Sequence, residues 1–157
     1  MRAIATATAF TAVLAAGLAA TPATAQAPAP LKLRIMGMPL ATGAIQKNRE
    51  QPFFEKLSEK AGFPIEADYK TLDATGIKEF EQLRVARSGL FDIIGLRLAQ
   101  VSRDEPTILG LDLVGLNGDY DTAKKVVAAF QPVVADRLEK QFNTKLLGVW
   151  PFGPQLV

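Results

Sequence analysis

The residue in this chain best placed to hold a ligand is Arg97, which closes the stretch Ser88 to Gln100, SGLFDIIGLRLAQ. Ser88-Gly89 reads as a helix end, Phe91 to Ile94 is an apolar run too short for a helix, and Gly95-Leu96-Arg97 follows at once. The spacing predicts a helix, a strand buried on both faces, and a lip that carries Arg97. Strands of that kind belong to parallel sheets, whose ligands sit in the crevice beyond the strand carboxyl ends. A guanidinium there matches both oxygens of a carboxylate with its planar fork. A plain surface arginine satisfies the same spacing, since most arginines are exposed.

Other chemistry-bearing groups are weaker. Trp150 and Phe152 stand two apart, so in an extended segment they point to one side and wall a pocket or fill a core equally well. Asn117, Asp119 and Asp121 repeat every second residue as in a calcium loop, but Thr122 and Ala128 occupy the positions that need glycine and glutamate. Helix capping by an aspartate is the better account. Gly110 to Asn117 spaces two glycines as a phosphate loop does, yet Leu116 stands where lysine is required, and no GxGxxG follows a strand. Asp104-Glu105 before Pro106 reads as a solvated turn. The chain has no histidine and no cysteine. Catalysis would therefore need a serine with a lysine or a carboxylate pair, and neither stands in a recognisable context. No cofactor or metal is implied.

The first 25 residues are not counted as fold. Arg2 supplies a positive charge, Ala3 to Ala20 is uncharged and small or apolar, and Ala23-Thr24-Ala25 is a small-x-small cleavage site, the pattern of a secretory signal peptide. Residues 26–30 form a proline-rich linker, and 31–157 form the folded part. No later run is long enough to span a membrane, so the exported chain is expected in the periplasm without membrane insertion. With 18 basic against 16 acidic residues and no basic run beyond Lys124-Lys125, nothing recommends nucleic acid as a partner. Roughly 130 residues suffice for one core.

The elements that must position Arg97 follow from periodicity. Leu31 to Gly37 alternates as LKLRIMG and ends before Pro39, a first strand. Thr42 to Gln51 is polar and helix-compatible, and Pro52 opens or kinks a helix there. Phe53, Phe54, Leu57 and Ala61 give a helical stripe closed by Gly62. Pro64 to Lys70 alternates again as a second strand, and after Gly76 a helix carries Ile77, Phe80, Leu83 and Ala86. Leu98 to Gly118 is broken by Pro106 and three glycines into short turns or helical pieces. Asp119 or Asp121 caps a last helix bearing Ala123, Val126, Val127, Phe130, Val134, Leu138 and Phe142, bent at Pro132. Lys145 to Trp150, KLLGVW, predicts a fourth strand. Strands alternating with helices predict an α/β fold, an open and mostly parallel sheet with helices on both faces. A sheet whose fourth strand is followed at once by Pro151, Gly153 and Pro154 reads as interrupted.

Two blocks, LDATGIKEFEQLRVARSGLFDI from Leu72 to Ile93 and LLGVWPFGPQ from Leu146 to Gln155, carry a resemblance. In this order behind a signal peptide, the chain from about Leu31 to Val157 resembles the first half of the substrate-binding proteins of tripartite ATP-independent periplasmic (TRAP) transporters, the DctP family. The resemblance implies lobe I of a two-lobed, hinged binding protein that captures a small organic acid and delivers it to membrane permease subunits. It also places ligand contacts. Met38 stands after the first strand where members often have a polar contact. Arg97 stands at the third-strand lip, where a basic residue departs from the more usual polar or acidic one. Gln155 stands past the fourth strand, where a polar residue reaches the substrate. The arginine most typical of the family lies in the second half and is not in this sequence. A transport role without catalysis is the first reading. The alternatives are a secreted single-domain α/β enzyme of hydrolase type, which the lack of histidine disfavours, and a sensor input domain built from the same lobe.

Overall fold

The computed structural model describes residues 29–150 other than 112, 114, 116 and 117. The signal peptide, most of the linker, Phe152 and Gln155 lie outside the described residues. The first strand, β1 (Leu31–Gly37), has the predicted bounds, because its alternation ends where Pro39 denies the ladder a donor. A short 3₁₀ turn (Leu40–Thr42) and a π-helical turn (Gln46–Glu50) lead into α1 (Gln51–Glu55), and α2 (Leu57–Ala61) follows. The expected single helix is therefore split. Pro52, in the first turn of α1, has no N–H to pass back, and the Gln51 N–H reaches five residues back to the Gln46 carbonyl instead. The apolar stripe is also only half used, since Phe53 and Ala61 are exposed while Phe54 stacks on Tyr69 at 5.7 Å. Gly62 closes α2 in the left-handed conformation at φ 74°, as its type predicts.

Next come β2 (Ile65–Thr71), one residue later than expected, α3 (Leu72–Thr75), a 3₁₀ turn (Glu79–Glu81) and α4 (Gln82–Ser88), ended by Gly89 at φ 70°. Phe80, placed on the stripe by spacing, is 42% exposed because this helix starts as a 3₁₀ turn and its period differs there. After it, β3 (Ile93–Ile94) joins the sheet. The order is β2-β1-β3, all parallel, with Leu31 opposite Ile65 and Ile35 opposite both Tyr69 and Ile93. Alternation puts Tyr69 and Ile35 on the face that α1 covers, and Met36 on the other face, where its sulfur meets the Thr75 hydroxyl of α3 at 3.8 Å. Helices thus lie on both faces. Ile93 and Ile94 are half-buried rather than buried, because among the described residues β3 has a neighbour on one edge only.

The remaining chain is helical. It forms α5 (Leu98–Val101), a 3₁₀ helix (Pro106–Leu111) and α6 (Tyr120–Phe142). Asp119 caps α6, its Oδ1 accepting from the Thr122 N–H at 2.8 Å and its Oδ2 from the Thr122 hydroxyl at 2.8 Å; these bonds hold its carboxyl below the usual range. Leu83, Val101, Ile108, Leu111, Val127, Val134, Leu138 and Phe142 form one core between α4, α5, the 3₁₀ helix and α6. Asp104-Glu105 is not a solvated turn. Glu105 is 3% exposed and accepts from the Thr107 N–H at 3.0 Å, capping the 3₁₀ helix, while Asp104 pairs with Arg84 at 2.7 Å. An acid ahead of Pro106 satisfies free N–H groups there, so it turns inward. Residues 145–150 are not a strand: Leu146 and Val149 pack on the core, Leu147 is 73% exposed, and no ladder partner lies beside them among the described residues. Alternation alone does not make a strand without an edge to pair with.

Candidate functional site

Two glycines end two parallel strands side by side. A Cβ at Gly37, the last residue of β1, would overlap the Tyr69 hydroxyl and lie 2.6 Å from Glu50 Oε2. At Gly95, just past β3, a Cβ would lie 3.2 Å from Glu50 Oε1 and 3.3 Å from the Met38 nitrogen. The strand ends are kept bare so that the Glu50 carboxylate can settle between them. Glu50 comes from the π-helical turn, twelve residues from Met38 in sequence, and its Oε2 accepts from the Met38 N–H and from the Tyr69 hydroxyl, each at 2.9 Å. Burial, then the bond to Glu50, pushes the Tyr69 phenol well above its usual range, so it stays a donor. π-Helical turns are rare and frequently accompany functional sites.

The same turn supplies Gln46, which is 3% exposed. Its Nε2 donates to the Met38 carbonyl at 3.1 Å, to Thr42 Oγ1 at 2.7 Å and to the Pro39 carbonyl, tying the loop after β1 to the turn. Across the crevice, Gln82 Nε2 donates to the Gly95 carbonyl at 2.9 Å. Both side-chain oxygens, Gln46 Oε1 and Gln82 Oε1, are buried without a donor among the described residues. On the β2 side, Leu40, Ala44, Gln46, Lys47, Gln51 and Thr71 line an open depression of about 570 Å³. Lys47 has no carboxylate within 4.0 Å among the described residues.

Arg97 lies where its spacing puts it, two residues past Gly95 at the lip of β3. Its Nε donates to Glu79 Oε2 at 2.7 Å and its Nη2 bonds the same oxygen, with a quarter of each side chain exposed. The Nη1 edge meets no acceptor among the described residues. Met38 is also at the crevice, yet it is 1% exposed and contributes its backbone, with the N–H to Glu50 and the carbonyl to Gln46. The structure therefore brings Met38 and the Arg97 strand end together around Gly95. Trp150 follows α6 in the unpaired segment, 54% exposed.

Sequence reasoning missed Gln46, Glu50 and Tyr69. The available signal was glycine at the ends of two strands, which marks close approach, and a glutamine and a glutamate four apart just before a helix-opening proline. No group of histidine, cysteine and acidic residues able to hold a metal exists among the described residues.

Among solved structures the fold is similar to that of DctP7, a Bordetella pertussis extracytoplasmic solute receptor binding pyroglutamic acid. The TM-score is 0.59 at 18% identity, and the match covers 70% of this chain and 36% of that one. At that identity the likeness is one of fold. The chain thus matches little more than a third of the receptor's length. No protein-family model and no curated protein matches this chain.

Proposed function

We propose that this chain belongs to a TRAP-type solute-binding protein that captures a small organic acid in the periplasm and passes it to membrane permease subunits. The observation that supports this most is the gathering of polar groups at the carboxyl ends of parallel strands, where Gly37 and Gly95 leave room for the Glu50 carboxylate, on a fold shared with a solute receptor. DctP7 binds pyroglutamic acid, a small carboxylic acid of the class proposed here. The mechanism is capture without chemistry: the crevice closes on its ligand between two lobes, and the closed state is what the permease reads. Glu79 fixes the plane of the Arg97 guanidinium and leaves its Nη1 edge to meet a ligand carboxylate. Met38 supplies backbone to the floor, and Trp150, with Phe152 and Gln155 outside the described residues, completes the set of proposed ligand contacts. Residues 1–25 direct export and are removed after Ala25.

Calorimetric titration of the protein with pyroglutamate and a panel of small organic acids tests the reading. At least one acid is expected to bind, and Arg97→Ala to weaken it by about 1.5–3 kcal/mol, roughly 10- to 150-fold, the range for hydrogen bonds to charged groups. If no acid binds, the solute-binding reading is wrong. If binding is unchanged in Arg97→Ala, Arg97 is a structural partner of Glu79 alone.

A further inference from the structure

A carboxylate at the floor of a crevice proposed for acids calls for an explanation in the ligand's own chemistry. Among the described residues Glu50 is held in place at one oxygen only. Both of its donors, the Met38 N–H and the Tyr69 hydroxyl, converge on Oε2. Oε1 lies over Gly95, accepts nothing from the described residues, and is not among the polar atoms found sealed without a partner. Two further acceptors at the same strand ends, Gln46 Oε1 and Gln82 Oε1, are sealed without a donor among the described residues. Acceptors are therefore in excess here, and buried acceptors without donors are costly to leave so. Arg97, two residues past Gly95, is the cation on the same strand end.

We propose that Glu50 Oε1 selects ligands that carry an N–H donor beside their carboxylate, an amino or imino acid in preference to a plain carboxylic acid. The ligand carboxylate meets the Arg97 Nη1 edge, and its N–H or ammonium group turns toward Glu50. A plain acid in the same seat would set its carboxylate near Glu50 with nothing to offset the repulsion, and a site built to accept a donor rejects the analogue that lacks it. This inference rests on the solute-binding reading above.

The test is a titration of the protein with proline, tetrahydrofuran-2-carboxylate and cyclopentanecarboxylate, which share a ring size and differ by one group, and with glutamate and glutarate as an open-chain pair. The donor-bearing acid of at least one set is expected to bind tenfold or more tightly than its donor-free counterparts. Glu50→Gln sharpens the test. To keep its bonds to Met38 and Tyr69, the amide oxygen must take the place of Oε2, which leaves an NH₂ group where Oε1 was. The variant is expected to lose the preference for proline over tetrahydrofuran-2-carboxylate and to reverse it. Equal binding within every set overturns the inference and leaves the solute-binding reading standing, as does failure of both proline and glutamate to bind a protein that takes other acids. A Glu50→Gln variant that weakens all five alike reduces Glu50 to a structural cap and overturns it too. If no acid of any kind binds, it is the solute-binding reading that fails.

Discussion

Asp92, the last residue of the SGLFD run, shows how one side chain can serve the fold where a motif suggests function. It accepts from the Arg34 backbone N–H at 2.7 Å, from Nε at 3.0 Å and from Nη2 at 2.8 Å, while Arg34 also donates to the Gly89 carbonyl. These bonds, side chain first, hold the Asp92 carboxyl down at about 2, and they lock the start of β3 onto β1. Because the folded value is depressed, the stabilisation is fully present above the ordinary aspartate value near ~4 and is lost as pH falls toward 2. The side chain is a third exposed, so solvent screening limits the contribution to about 1 kcal/mol. Denaturation midpoints of wild type and Asp92→Asn, followed from pH 7 to pH 2, should converge at the acid end; curves that stay parallel throughout would remove this pair from the acid limb.

At the scale of elements, the contact between the 3₁₀ helix Pro106–Leu111 and α6 is tight at one point. A Cβ on Gly110 would overlap the Phe130 ring. Phe130 packs against the main core, so it has little room to withdraw. Gly110→Ala is expected to cost about 1–3 kcal/mol, the usual penalty of overpacking, and Phe130→Leu in the same chain to recover part of it. Urea unfolding of the single and double variants measures this; additive losses would mean that the two residues do not press on each other. The α1 region shows the opposite case. There Pro52 interrupts the ladder, and the strain is taken up by a π-helical turn that aims Glu50 at the strand ends.

Across the whole molecule, the apolar side chains do not all find cover. Leu147 and Trp150 point outward from a segment whose neighbours Leu146 and Val149 are packed, and Leu90 is 53% exposed. Among the described residues the sheet has open edges on β2 and β3. Charges on β2 guard one of them, with Glu66 paired to Lys32 and Asp68 to Lys70. Trp150 is the single tryptophan of the chain, so its fluorescence reports on this segment alone. Its emission is expected to be that of a solvent-exposed indole, with weak concentration-dependent association in sedimentation that Leu147→Lys reduces. A blue-shifted emission in a monodisperse sample would show that the segment is covered.

The sequence by itself determined what depends on neighbours along the chain. The bounds of β1 came from alternation and Pro39, the ends of α2 and α4 from Gly62 and Gly89, the start of α6 from Asp119, and the α/β class from the order of these elements. Arg97 was found at its lip for the same reason. Only the tertiary structure decided the rest, because it hangs on partners that no local pattern links. The Arg97 charge is shared with Glu79, eighteen residues away, and Tyr69 reaches Glu50 across nineteen. Glu105 turned inward because the Thr107 backbone donor waited for it, and KLLGVW stayed unpaired among the described residues because a strand is a relation between two segments, while alternation is a property of one.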